Sequence, residues 1–495
     1  MPTLAVRRPA TPATMPFALR LGLALAIPFI AALTIAGTYL GKEVIVCAAW
    51  IALSTVGILF VNPVTGIAVM TSGFMLAAYP TVFDALGALT INNLLGVGFV
   101  VLLIGYVLDT RDVSFLKVRP IVILMAIGVI FLVGSIYSQS LFPMLRVSQG
   151  KRFSLDRTDQ MGHDFITRLV FLIFYWIFVR SRREIRAIYL TVMFSLFMAV
   201  PSALYNWEQG TLISGFRAAA SLTSGANPNR LAMICLSEVA FWWYWSRSRP
   251  GWFRRMIGYG PIAGAITVVF ASGSRSGLLG IFVLGTFLQT GEKRYRVPVY
   301  QIALFGLMAI VAVLFLVPVD SLERMINFTP DRHTYGYHST LQRLDTIYLA
   351  LHMMHDHLFS GVGLGNFREV ARQIYLDPYF RPPHNSYLWA MTEGGIFVLI
   401  GYGLLFWTTW RDIGVVLRLA YRDPEIGFIA AALRVAFVQF MFFAAFADMW
   451  LNPITYILIA QVITLRRYVE GLPDPATPAV VRRPARPRLA FAMAS

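Results

Sequence analysis

From Phe17 to Leu465 the chain returns repeatedly to apolar runs of about twenty residues, the length a helix needs to cross the hydrocarbon of a bilayer. Helices satisfy their own backbone groups in lipid, so such a pattern predicts an all-α, polytopic bundle rather than a soluble globule. Composition agrees: 57% of the residues are hydrophobic and only 14% charged. The runs read as spans at about 17–37, 44–61, 64–80, 90–108, 120–138, 164–180, 185–204, 230–246, 252–271, 275–290, 298–318, 385–410, 427–448 and 452–465, which makes about 12–14 transmembrane helices. The first run follows Arg7, Arg8 and Arg20 and continues to about Leu40, too long for a cleaved signal, so it is expected to be retained.

The net charge of +17 invites a nucleic-acid reading, but its distribution removes it. Lysine and arginine gather in alternate short loops: Arg180-Ser-Arg-Arg-Glu-Ile-Arg186, Arg247 to Arg255, and Lys293-Arg-Tyr-Arg296. That asymmetry orients the chain, with both termini and these loops on the cytoplasmic side. Trp242, Trp243 and Trp245, then Trp407 and Trp410, fall at predicted inner ends and are expected to form an interfacial belt. Cys47 and Cys235 both lie in apolar runs and offer neither a disulfide framework nor a metal set. The chain divides into a membrane region over 1–318 with outward segments 139–163 and 205–229, a large outward loop over 319–384, the last spans over 385–465, and a Pro/Ala/Arg-rich tail over 466–495, expected to be disordered from Gly471.

The outward polar residues carry whatever chemistry the chain has. Arg217 precedes Gly225-Ala-Asn-Pro-Asn-Arg-Leu-Ala232, whose Pro228 and flanking asparagines form a turn into the next span. By position alone Arg217 also fits an exposed loop arginine. In Ala271-Ser-Gly-Ser-Arg-Ser-Gly277 the turn leaves almost no loop, and Arg275 opens a helix that Gly273 and Ser274 can start. A guanidinium beside free helix-start N–H groups suits an anion, and a snorkelling interfacial arginine suits the same position. Within the large loop, Leu341, Leu344, Tyr348, Leu351, Met354 and Leu358 recur at helical spacing and predict an amphipathic surface helix, which also carries Arg343. His352, His355 and His357 on that helix do not share one face and read as solvated side chains, not as metal ligands. Gly361, Gly363 and Gly365 lack the spacing and preceding strand of a dinucleotide loop and read as a turn with close backbone packing.

His384 follows Arg381-Pro-Pro383, and Asn385 or Ser386 can cap the span that begins there. A histidine presented by a rigid turn at the mouth of a bundle can act as a base. Glu393 lies further along the same helix, where an ionisable group should face the bundle interior.

Taken together, Arg217 with Asn-Pro-Asn-Arg-Leu-Ala, the Ser-Gly-Ser-Arg275-Ser-Gly turn, Gly361-Val-Gly-Leu-Gly-Asn-Phe367, and His384-Asn-Ser-Tyr-Leu with Glu393-Gly-Gly395 resemble the O-antigen ligase/polymerase superfamily of bacterial envelope glycosyltransferases. The resemblance covers about 205–400 and implies an inner-membrane enzyme with its site on the periplasmic side. It would transfer a glycan from undecaprenyl diphosphate to an acceptor hydroxyl, either as a ligase acting on lipid A–core or on protein or as a polymerase joining O-antigen or exopolysaccharide repeat units, and the sequence favours neither. It implies diphosphate binding by Arg217 and Arg275, with Arg168 as a third contact, and His384 as general base, supported by Asn385, Glu393 and Arg343. Inversion at the anomeric carbon is expected, with no cofactor, and no divalent metal is expected because no outward loop carries an Asp-x-Asp pair. A secondary transporter or lipid-linked oligosaccharide flippase is the competing class, and it would place its charges near mid-bilayer.

Overall fold

A computed structural model describes residues 62–75, 91–141, 155–213, 217–220, 227–290, 295–301, 335–377 and 381–473, with scattered positions between 303 and 321. The spans expected at 17–37 and 44–61, most of 298–318, and the tail beyond 473 lie outside these residues. The described residues contain no strands, and their helices, in chain order, are α1 (Pro63–Met75), α2 (Ile91–Thr110), α3 (Arg119–Leu141), α4 (Leu155–Phe178), α5 (Arg182–Phe197), α6 (Ala199–Glu208) and α7 (Pro228–Arg247). They continue with α8 (Trp252–Ala271), α9 (Arg275–Gln289), α10 (Tyr335–Asp356), α11 (Phe367–Gln373), α12 (Ser386–Leu419), α13 (Pro424–Ala444) and α14 (Pro453–Gly471). Among the described residues five stretches are long and apolar enough to cross a membrane: 119–138, 161–178, 182–208, 386–419 and 424–444. The fold is therefore an all-α, polytopic membrane bundle.

Local sequence sets where these helices start. Asn227-Pro228, Asp423-Pro424 and Asn452-Pro453 each put a capping side chain before a proline whose missing N–H costs nothing at the first helical position. Ser181 and Glu184 form a reciprocal capping box at the start of α5. The bundle centre is α7, packed against α8 and α13, while α12 lies along α3 and α14. Small residues allow the close approaches. A methyl group at Gly280 would meet Leu236 at 2.7 Å, and one at Gly401 would meet Ile127 at the same distance.

One end of the bundle is basic and clamped. Glu425 is buried at the start of α13 and takes Arg182 at 2.8 Å, Arg249 at 3.3 Å and Arg186 at 3.4 Å. Arg182 also reaches Asp423 at 3.2 Å. The aromatic belt expected here is only partly seen. Trp407 is 64% exposed, but Trp242 and Trp243 are buried. Trp242 packs edge-on against Phe194, Phe197 and Trp245, which cover its ring. The last helix continues to Gly471, so Arg466 and Arg467 are helical; Arg466 pairs with Asp412.

Candidate active site

The opposite end of the bundle holds the cleft. Its volume is about 390 Å³, and it is lined by Met161, Asp164 and Arg168 of α4, Arg230 of α7, Gly365, Arg368 of α11, Trp389 and Glu393 of α12, and Asp448 with Trp450 to Pro453 between α13 and α14. α7, α12 and α14 bring their N-terminal residues to this cleft and α4 its middle, so residues far apart in sequence share one level.

A break in α12 shapes the floor. Gly395 adopts φ 70° and ψ −174°, so the helix stops and restarts there. The carbonyls freed by the break are taken by the glycine run: Val362 N–H donates to Thr392 O at 2.9 Å, and Gly363 N–H to Glu393 O at 3.0 Å. Ile396 N–H in turn donates to Leu358 O at 2.7 Å. Gly361 sits at φ +62° against this break, and a Cβ there would lie 2.7 Å from Gly394 N and closer still to the Glu393 carbonyl. Glycine is required because both the left-handed φ and the backbone contact exclude a side chain. The close backbone packing expected of the run thus has a definite partner.

That docking brings α11 beneath Glu393. Its Oε1 accepts from Trp389 Nε1 at 2.7 Å and from Phe367 N–H at 3.3 Å. The Gly365 N–H and the Arg368 guanidinium also bear on this carboxylate. Glu393 is 1% exposed, and its Oε2 makes no hydrogen bond. Other buried polar atoms without a hydrogen bond line the same cleft, among them Arg168 Nε, Arg230 Nε, Asp448 Oδ1 and Trp450 Nε1, while further ones lie elsewhere in the bundle. A buried group without a partner costs about 1–3 kcal/mol, so such a cluster marks where a polar ligand is received.

His384 is not itself a lining residue of the cleft but stands beside Asp448, which is. Its φ of 49° is left-handed, a strained state for a non-glycine residue that is imposed by the buried Pro382-Pro383 before it and the Asn385 cap after it. Asn385 accepts from Tyr387 N–H at 3.0 Å and Leu388 N–H at 3.1 Å. His384 Nδ1 lies 3.2 Å from Asp448 Oδ2. Ser386 fixes that pairing: its hydroxyl donates to Ala447 O and accepts from Met449 N–H, both at 2.6 Å. With Nδ1–H donated to Asp448, Nε2 carries the lone pair.

Of the arginines expected in the site, Arg168 lines the cleft and pairs with Asp164 at 3.3 Å. Arg217 is 7% exposed and does not line it. It donates from Nε to Ser272 O at 2.9 Å and from Nη2 to Asn229 Oδ1 at 3.4 Å, while Ser274 Oγ donates to the same Asn229 oxygen at 2.8 Å. Arg217 thereby ties together the starts of α7 and α9, directly beside Arg230. Arg275 is half-buried at the first position of α9, capped by Ser274, and is not a lining residue of the cleft. Arg343 is half-buried on α10, which Arg381 holds by donating to Gln342 at 2.6 Å. No residue of α10 lines the cleft, and its Leu341, Leu344, Tyr348 and Leu351 are exposed. On that helix His352 and His355 turn to the exposed Asp356, at 3.8 Å and 3.2 Å.

Sequence reading did not single out Arg230, Arg368, Asp164 or Asp448. Arg230 was visible within Asn-Pro-Asn-Arg, and Asp448 as an acidic residue at the outer end of a span beside Trp450. Residues 260–403 match the family described as O-antigen ligase. The matched segment contains Arg275, Arg343, Arg368, His384, Asn385 and Glu393, and leaves Arg168, Arg217, Arg230 and Asp448 outside it. No curated protein matches the chain.

Proposed function

We propose that the chain, whose residues 260–403 match the O-antigen ligase family, is a member of that family and transfers a glycan from a polyprenyl diphosphate, undecaprenyl diphosphate in a bacterial inner membrane, to an acceptor hydroxyl at the periplasmic end of the bundle. The observation that carries this reading is the cleft itself: Arg168, Arg230 and Arg368 share it with Asp448, which holds His384.

In the proposed reaction the arginines hold the diphosphate, as planar guanidinium groups do with paired phosphate oxygens in a poorly hydrated site. Arg217 positions the start of α7 and so Arg230, and Arg275, outside the cleft lining, is assigned a part in holding the diphosphate only through the family's motif. His384 Nε2 takes the proton from the acceptor hydroxyl. The acceptor oxygen forms the new bond to the anomeric carbon as the bond to diphosphate breaks. The leaving oxygen departs with the electron pair, onto the arginines, and configuration at the carbon inverts. Asp448 keeps the imidazole in the tautomer the step needs and stabilises the imidazolium that results. No divalent metal takes part in this scheme.

The test is transfer by the full chain in nanodiscs, from a defined polyprenyl-diphosphate glycan to a glycan acceptor, with EDTA present. Product of inverted configuration and released polyprenyl diphosphate are expected. The broken helix α12 is the feature that favours a transporter. Donor that crosses proteoliposomes unchanged, with no product formed, would select that class instead.

A further inference from the structure

A second cavity lies at the basic end of the bundle. Its volume is about 360 Å³, close to that of the cleft. Its lining includes Arg180, Arg467, Tyr106 and Asp112, with the Trp176 and Phe115 rings as apolar surface. Tyr468 ties it to the Glu425 clamp by donating to Asp423, the partner of Arg182, at 3.2 Å. α4 connects the two ends, carrying Arg168 into the cleft and Trp176 into this cavity.

Two guanidinium groups meet there. Arg180 Nε donates to Ile177 O at 2.6 Å, and its Nη2 to the Tyr106 hydroxyl at 3.0 Å. Arg467 lies 4.5 Å over the Trp176 ring and donates to Trp176 O and Val179 O. Both side chains therefore sit on the last carbonyls of α4, and each keeps N–H groups that these bonds do not use. Asp112 is the one acid of the lining. It accepts from the Tyr106 hydroxyl at 2.7 Å and from Ser114 N–H at 2.8 Å. These donors, the hydroxyl first, hold its carboxyl below the ordinary range, so it is ionised. Two guanidinium groups against one carboxylate leave the cavity positive. Beyond Leu472 the sequence adds Arg482, Arg483, Arg486 and Arg488 against a single acid, Asp474, so the chain that follows brings charge of the same sign. Depth decides the kind of anion. The span 161–178 ends at this cavity and the span 119–138 begins just after Phe115, which puts it at the level of lipid headgroups rather than in bulk water.

We propose that this cavity binds the phosphodiester of an anionic phospholipid in the leaflet at the basic end, with Arg180 and Arg467 on the phosphate and the Trp176 and Phe115 rings against the glycerol and first methylenes. Planar guanidinium groups match phosphate oxygens, and a basic pocket between helices at the cytoplasmic interface is where such headgroups are held. A choline headgroup brings no net charge to offset that of the cavity. The site takes no part in glycosyl transfer and stands whether or not that reading does.

The test is native mass spectrometry of the full chain in detergent, titrated with phosphatidylglycerol, phosphatidylcholine or sn-glycerol 3-phosphate. Phosphatidylglycerol should bind roughly fivefold tighter than phosphatidylcholine, the effect of one charge at the interface. Glycerol 3-phosphate, which lacks the acyl chains, should not displace it. Arg180→Gln should lower the phosphatidylglycerol affinity roughly tenfold, as loss of a charge-assisted contact implies. Asp112→Asn removes the one negative charge and should tighten binding roughly threefold. A misfolded chain would not bind more tightly, so this variant decides the matter should Arg180→Gln fail to fold. Arg418→Gln alters an exposed arginine of the same end outside the cavity and should leave affinity unchanged. The proposal is overturned if the two lipids bind alike, if folded Arg180→Gln retains wild-type affinity, or if Asp112→Asn does not tighten binding. It is equally overturned if Arg418→Gln loses as much as Arg180→Gln, which would leave only diffuse charge, or if glycerol 3-phosphate displaces the lipid, which would make the ligand a soluble phosphate.

Discussion

Gly361→Ala tests the link between the glycine run and the broken helix. The added methyl meets the backbone of Glu393 and Gly394, which cannot move aside as a side chain could. Alanine at φ +62° costs about 1–2 kcal/mol by itself. Separating the run from α12 also removes the bonds from Val362 N–H and Gly363 N–H, each worth about 1 kcal/mol net. The sum is about 3–4 kcal/mol, a factor of a few hundred in the local opening equilibrium at about 1.4 kcal/mol per decade. Hydrogen exchange in nanodiscs should show the amides of Val362 and Gly363 losing about that much protection. Transfer should fall in parallel, because Glu393, Gly365 and Arg368 share this docking. Gly403→Ala is the control: it lies in the same helix with nothing within 4 Å of an added Cβ, and should leave exchange unchanged. Wild-type protection at both amides in Gly361→Ala would refute the reasoning.

Other outcomes follow from the same geometry. Ser386→Ala leaves Ala447 O and Met449 N–H without their partner, a loss of about 2 kcal/mol at the corner carrying Asp448, and should lower kcat while donor binding stays at the wild-type level. A cysteine at the exposed Tyr348 should react with a membrane-impermeant maleimide from the periplasmic side; reaction only after lysis would invert the orientation. The Asp356 carboxyl is held below its ordinary range, first by the Tyr375 hydroxyl and then by His355. A depressed carboxyl stabilises fully above its unfolded pKa of about 3.9 and loses that contribution as pH falls through the folded value. The tether of α10 to Tyr375 should therefore loosen only below about pH 4, read as faster pepsin cleavage near Tyr375, and Asp356→Asn should abolish that pH dependence.

Much of this was legible because it is local. Apolar runs of spanning length gave the helices, and the Asn-Pro and Asp-Pro pairs mark starts that the structure places within a few residues of the expected spans. Asn385 caps α12 and Ser274 caps α9 as their side chains permit. What was not legible depends on long-range pairing. Nothing near Glu393-Gly-Gly395 shows that a segment some thirty residues earlier will take its carbonyls, so 385–410 reads as one unbroken span. Asp448 looks like an ordinary span end until Ser386 and His384 are seen against it. Arg217 was expected at the diphosphate, yet its guanidinium is turned to Ser272 and Asn229, and its neighbour Arg230 lines the cleft. Hydropathy locates an arginine at a membrane boundary and is silent about which way the chain turns it.

The central claim is that His384 and Asp448 act as one base beside an arginine-lined cleft. It is tested most directly by a double-mutant cycle of His384→Asn and Asp448→Asn, with single-turnover transfer and donor affinity measured for all four proteins. Asparagine tolerates the left-handed backbone at position 384, so the change removes the base and little else. Loss of a general base costs about 10²–10⁴-fold in rate. His384→Asn should show that loss at wild-type donor affinity, and the double variant should be no slower than His384→Asn alone. Rates close to wild type for His384→Asn, or fully additive losses in the cycle, would contradict the account.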